Sequence, residues 1–167
     1  MAVYKPYRLK CKCGAIVEAQ MAESVNAGRF PAARKAILDR RFHRATCHKC
    51  QRALTLERPF FYTDLPRNSL YYILPRRERH RWRKASQRLD RAAGFVPTNI
   101  LSQQAGNFRV IFGMEELREK LVAQDAELDD RLVKLTKVLL VYEHPFLLRT
   151  RRLNLTLDRV TNEELMF

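Results

Sequence analysis

Two cysteine pairs, Cys11-Lys12-Cys13-Gly14 and Cys47-His48-Lys49-Cys50, constrain this chain more than any other feature, and they hold all four of its cysteines. Each pair spans a single tight turn, and a long insertion separates the two. Zn²⁺ takes four soft ligands in a tetrahedron at Zn–S of about 2.3 Å, a set that two thiol pairs on two turns can supply. Cys11, Cys13, Cys47 and Cys50 are therefore the expected metal ligands and zinc the expected ion. Four thiolates close the coordination sphere, which suits a structural site, because catalytic zinc keeps one position open to water. Metal-free buried thiols and redox chemistry stand as alternatives. Redox use needs a thiolate activated near a helix N-terminus, and strands are expected after the second pair instead.

The flanks of both turns read as strands. Tyr4 to Leu9 leads into the first pair and Ala15 to Ala19 returns, with Gly14 supplying the positive φ the turn wants. Phe42 to Thr46 leads into the second pair, and Leu54 and Leu56 alternate on the strand that leaves it. Between the halves, Ser24-Val25-Asn26 reads as loop. A short helix runs from Pro31 to about Asp39, with proline at its favoured first position. This is the zinc-ribbon pattern with an inserted helix. Phe60 to Asn68 reads as a strand end and turn, with Tyr62 and Asp64 as turn and capping residues. Leu70 to Leu74 is a further strand that Pro75 stops.

Charge is distributed unevenly. Residues 1–92 hold 22 Lys+Arg against 7 Asp+Glu, a net of +15, whereas residues 93–167 hold 10 against 11, a net of −1. Arginine outnumbers lysine 23 to 9, which favours planar contacts to phosphate or carboxylate. The densest run, Arg76 to Lys84, continues as a weak helix to about Ala93. Like charges at i, i+4 there repel by a few tenths of a kcal/mol per pair. Trp82, the only tryptophan, either docks this helix on the ribbon or stacks on a base.

Gly94 to Gly106 reads as a linker and Phe108 to Phe112 as a strand ended by Gly113. Leu117, Leu121, Leu128, Leu132, Leu135 and Leu139 follow at helical spacings, with Asp125 dividing helices of roughly 115–123 and 126–142. The stripe is most simply core, with a partner-binding or dimer face as the alternative. Phe146 to Arg149 and Leu153 to Leu157 suggest two weak C-terminal strands. The longest apolar runs, such as Val138 to Tyr142, fall far short of the roughly 20 residues that span a bilayer. Met1 to Lys10 carries no apolar signal region, so a cytoplasmic location is expected, where thiols stay reduced.

The order strand, cysteine turn, strand, helix, cysteine turn, strand, then Phe61-Tyr62-Thr63-Asp64 and Tyr71-Tyr72-Ile73-Leu74-Pro75, resembles the CpXC domain. That bacterial and archaeal module is named for two Cys-Pro-x-Cys motifs. Phe112 to Lys120, with Asp129-Asp130-Arg131 after it, resembles the C-terminal extension of many such proteins. The chain departs from the pattern in two ways. Neither pair contains the proline, since Lys12 and His48 stand there, and the first pair is one residue tighter. The shorter turn is expected to strain N–H donation to its thiolates, with His43 and His48 near enough to substitute as ligands.

The expected fold is α+β. A zinc-ribbon-like antiparallel β domain with a basic helix fills residues 1–93, and a strand with two helices packing on it fills residues 94–167. No Gly-rich phosphate loop, nucleophile elbow or convergent His and carboxylate set is present, so no enzyme is expected. The expected function is a binding module contacting nucleic-acid backbone through Arg76, Arg77, Arg79, Arg81, Arg83 and Lys84 beside Trp82. Arg40, Arg41 and Arg44 form a second patch. The alternative is an adaptor docking an acidic protein, and self-association through the Leu117–Leu139 face is a further expectation.

Overall fold

The fold is α+β, described by a computed structural model over residues 2–93, 108–149, 155–161 and 164–167. It divides into two compact units, Met1–Met114 and Glu115–Phe167. In the first, β1 (Val3–Lys10), β2 (Ile16–Asn26), β5 (Phe60–Asp64), β6 (Ser69–Leu74) and β7 (Phe108–Phe112) form one sheet in the order β1-β2-β5-β6-β7. Strands β3 (Arg44–Thr46) and β4 (Ala53–Thr55) form a separate hairpin, and helix α1 (Pro31–Leu38) is inserted between β2 and β3. Each cysteine pair therefore sits on a turn between paired strands.

The sheet is mixed. β1–β2 and β5–β6 are antiparallel, but β2–β5 and β6–β7 are parallel. Strand β2 also runs longer than expected. Ser24, Val25 and Asn26, expected as loop, pair with Phe61, Tyr62 and Thr63, and Val25 is buried. A parallel pairing with a distant strand leaves no local signal in three residues, so tertiary context decides their state. Strand β7, grouped on sequence with the helices that follow it, lies parallel to β6 within the first unit's sheet.

Register explains the core of this unit. Phe60↔Ile73, Tyr62↔Tyr71 and Asp64↔Ser69 are opposed and all six are buried, because alternate residues share one face. Asp64 thus enters the core on a strand, and neither it nor Tyr62 is the turn residue expected. The turn is the 3₁₀ segment Leu65–Arg67, closed by Asn68 in the left-handed conformation (φ 50°). On the other face Phe61 stacks on Tyr72, with centroids 4.6 Å apart.

Arg76–Arg81 is a 3₁₀ turn leading into helix α2 (Trp82–Ala93). Ala85, packed with Leu74 and Phe112, anchors α2 to the sheet. Trp82 does not, being 53 % exposed; it lies nearly one helical turn before Ala85, at the helix start. The expected linker, Gly94 to Gly106, lies outside the described residues.

The second unit contains α3 (Met114–Asp125) and α4 (Asp130–Glu143). The break falls after Asp125, with Glu127 at φ 53°, and Asp129 is the cap, its carboxylate accepting the Arg131 N–H at 2.8 Å. The leucine stripe splits. Leu117 and Leu121 are fully buried, whereas Leu132, Leu135 and Leu139 are exposed, so the core expectation holds for α3 and fails for α4. Ala123, Val133 and Leu157 form the local core. Phe146 to Arg149, expected as strand, lies in the 3₁₀ turn Pro145–Arg149, closed by Leu147 N–H to His144 O. Residues 155–157 of the other expected strand are not in a strand, and the pairing falls later, between β8 (Arg159–Val160) and β9 (Leu165–Met166). Among the described residues no helix is long and apolar enough to cross a membrane.

Candidate metal centre

The two hairpins bring the four cysteines together. All four Sγ atoms lie within 4.8 Å of one another, with Cys11–Cys50 and Cys13–Cys47 each at 3.6 Å. A tetrahedron with 2.3 Å metal–sulfur bonds has edges of about 3.8 Å, so the set fits one metal ion with small adjustments. The four are free thiols, and 3.6 Å is far beyond a sulfur–sulfur bond. Cys11 and Cys47 are buried against Val17, with Leu9, Ala15, Ala45 and Leu54 packed around them. Cys50 is exposed.

The turns prepare the thiolates unequally. In the Cys-x-x-Cys turn the backbone N–H of Cys50, and also that of Lys49, donates to Cys47, and Cys13 and Cys11 act in the same direction. Burial opposes them, but the Cys47 thiol is still lowered to about 6. The tighter first turn closes through Gly14 N–H to Cys11 O and Cys11 N–H to Ala15 O, each 2.9 Å, with Gly14 at φ 88°. There Cys13 receives an N–H from Ala15 alone. Desolvation and the neighbouring thiols Cys11, Cys50 and Cys47 outweigh it, so Cys13 is pushed up to about 12. A bound cation would reverse this balance, since metal ligation removes the proton.

His43 is not a ligand. It is buried, its Nε2 accepts the Ala22 N–H at 3.0 Å, and its ring stacks on Phe42. Burial lowers it to about 4. His48 is exposed, and its carbonyl accepts from Gln51.

Arg76, Arg77, Arg79, Arg81, Arg83 and Lys84 are all exposed around Trp82. Arg83 lies 5.4 Å from the Trp82 ring centre and Arg79 lies 5.3 Å from that of Phe112. Arg40, Arg41 and Arg44 are exposed too, but Arg41 is paired with Asp39 at 2.5 Å and Arg44 donates to the Arg40 carbonyl. Asp129 and Asp130 do not converge, since the first caps α4 and the second pairs with Lys120.

Sequence reasoning missed two things. One is the cluster of Arg34, Tyr62 and Asp64, all buried, with the exposed Arg67 reaching in to the same carboxylate. The other is the outer edge of β1, where Arg8 and Lys10 recur at the period of a strand. That alternation was a usable signal, whereas a buried arginine on a short helix leaves none.

Comparison with known proteins agrees with the cysteine geometry. A family model described as CpXC protein matches residues 9–137. No curated protein matches, and no solved structure matches.

Proposed function

This chain belongs to the CpXC family, and we propose that it is a non-enzymatic binding module of the cytoplasm. In this reading zinc closes the four-cysteine cluster, and the segment from Arg76 to Lys84 contacts nucleic-acid backbone. The observation that carries the reading is the 53 % exposure of Trp82 among six exposed cations. Guanidinium and ammonium groups meet phosphate, while a ring held out of the core offers a face to a base, the combination that sequence-tolerant single-strand binders use. Arg40, Arg41 and Arg44 supply a weaker patch, because Asp39 already neutralises part of it. The cysteine cluster holds the two hairpins together and takes no part in contact. Titration with a single-stranded oligonucleotide at several salt concentrations tests the reading.

A second reading, an adaptor for protein partners, is favoured by one observation. Leu132, Leu135, Val138, Leu139 and Tyr142 are all at least half exposed along α4, an apolar row that another helix could cover. Sedimentation of the purified protein across a concentration series tests it.

A further inference from the structure

A groove of about 700 Å³ lies on the side of the first unit marked by the cysteine turns, between β1 and β4. Its cations are Arg8, Lys10, Lys12 and Arg52, and its apolar lining includes Leu9 and Leu54, which also pack against the cysteine cluster. Its volume falls within the range of about 300–1,000 Å³ usual for binding sites.

Both walls are strand edges. β1 is the edge of its sheet and β4 belongs to a two-stranded hairpin. Cys11 donates to Ala15, and the β1–β2 register continues from there. Residues opposed in antiparallel pairs alternate between bonded and non-bonded, so Arg8 and Lys10 turn their backbone N–H and C=O away from β2. Cys47 donates to Arg52 and Leu56 to His43, so Ala53 and Thr55 likewise turn theirs away from β3. Among the described residues no hydrogen bond satisfies these outward groups. Unpaired edges of this kind template the addition of another strand.

We propose that this groove binds an extended acidic peptide, which adds as a strand along the β1 or β4 edge while its carboxylates meet Arg8, Lys10, Lys12 and Arg52. The charge of the lining selects the ligand. No acidic residue lines the groove, and the one ion pair at its rim, Arg8 with Glu18 at 3.7 Å, joins two exposed side chains and is readily exchanged. The lining also decides between macromolecules. It contains no aromatic ring, so a nucleic-acid strand would find phosphate contacts but no stacking surface. An extended peptide uses the backbone edges, the cations and the aliphatic floor together. No residue is shared with the Trp82 surface, so the two sites stand or fall separately.

The test is fluorescence anisotropy with a labelled peptide of five Val-Glu repeats and the full-length, metal-loaded protein. Comparison ligands are five Val-Lys repeats, the Val-Glu peptide N-methylated at alternate residues, and oligo-dT. Binding of the acidic peptide should weaken at least tenfold on N-methylation, which removes ladder donors without changing charge. It should weaken as much in the Lys10→Glu/Arg52→Glu variant, whose folding is checked by circular dichroism, and stay unchanged in Arg81→Glu. The Val-Lys peptide should not bind. Equal affinity for the N-methylated peptide would overturn strand addition. Oligo-dT displacing the peptide, with its own binding lost in Lys10→Glu/Arg52→Glu but kept in Arg81→Glu, would make the groove a phosphate site and overturn the proposal. The N-methylation comparison needs no variant and decides the question even if the double substitution fails to fold.

Discussion

The guanidinium of Arg34, on α1, lies 3.6 Å from the carboxylate of Asp64, at the end of β5, and Asp64 is completely buried. Arg67 donates to the same oxygen at 3.2 Å and the Tyr62 hydroxyl donates to it at 3.3 Å. The pair ties the inserted helix to the central strands, and burial, together with the Asp64 charge, drives the Tyr62 hydroxyl upward. Taking one partner from a buried ion pair leaves an uncompensated charge, at a cost of about 3–5 kcal/mol. Asp64→Ala should therefore lower unfolding free energy by that amount in urea titration. Arg34→Met combined with Asp64→Leu should cost much less than the sum of the single changes. Additive losses would show that the two residues do not act as a pair.

His43 gives the fold a pH dependence of calculable sign. Its folded-state value, about 4, lies below the unfolded value of about 6.5. The unfolded chain therefore binds the proton more readily, and stability is lost as pH falls from about 6.5 towards 4. The loss from this group should be about 2 kcal/mol between pH 7.5 and pH 5. NMR titration should show the His43 ring neutral until about pH 4. Comparing wild type with His43→Phe by urea titration at both pH values isolates the term. The variant leaves the Ala22 N–H without its acceptor, so its overall stability falls while its dependence on pH flattens.

Much of this was legible from local sequence. Gly14 marks the first turn, Pro31 the start of α1, and the aromatic and β-branched run Leu70 to Leu74 a strand, because each of these depends on residues a few positions apart. The cysteine spacing marked the four thiols whose sulfurs the fold brings within 4.8 Å of one another, a set that could hold a metal ion. What was not legible depends on distant pairing. Val25 becomes strand only because Tyr62 lies beside it, and Asp64 is buried only because the register sets it opposite Ser69. Leu117 and Leu135 belong to one helical pattern, yet the first is buried and the second is exposed. Periodicity shows that a face is apolar and leaves open what covers it.

The proposed zinc at the cysteine cluster makes a direct prediction. Native protein should carry one zinc per chain by inductively coupled plasma mass spectrometry. Cys47→Ser should remove it, because Cys47 is the thiolate that two backbone N–H groups prepare. Chelation should lower the melting temperature, since binding energy at a structural site is folding energy. A metal-free native protein with the same melting temperature would mean that packing around Cys11 and Cys47 suffices.

The apolar row on α4 predicts concentration-dependent association if a second copy covers it. Leu135→Asp should then leave a monomer at every concentration in sedimentation velocity while retaining the fold, because Leu135 is 55 % exposed and its replacement opens no cavity. A monomer in wild type up to high micromolar concentration would remove self-association and leave the row for a different chain.

Trp82 allows the nucleic-acid reading to be checked without a label, because it is the only tryptophan and its ring is exposed. Stacking of a base should quench its fluorescence on addition of oligo-dT, and Trp82→Ala should weaken binding by about 1–3 kcal/mol. Phosphate contacts have a separate signature. If Arg76, Arg77, Arg79, Arg81, Arg83 and Lys84 all engage single-stranded phosphates, log K should fall against log salt with a slope of about −4, roughly 0.7 per contact. Arg81→Glu should make that slope shallower by more than one contact, since it also introduces repulsion, while Trp82→Ala should leave the slope unchanged. The two effects separate because stacking releases no counterions and phosphate pairing does. Quenching with a flat salt response would assign the surface to stacking alone. A steep slope without quenching would leave the arginines as a phosphate site in which the exposed ring has no part.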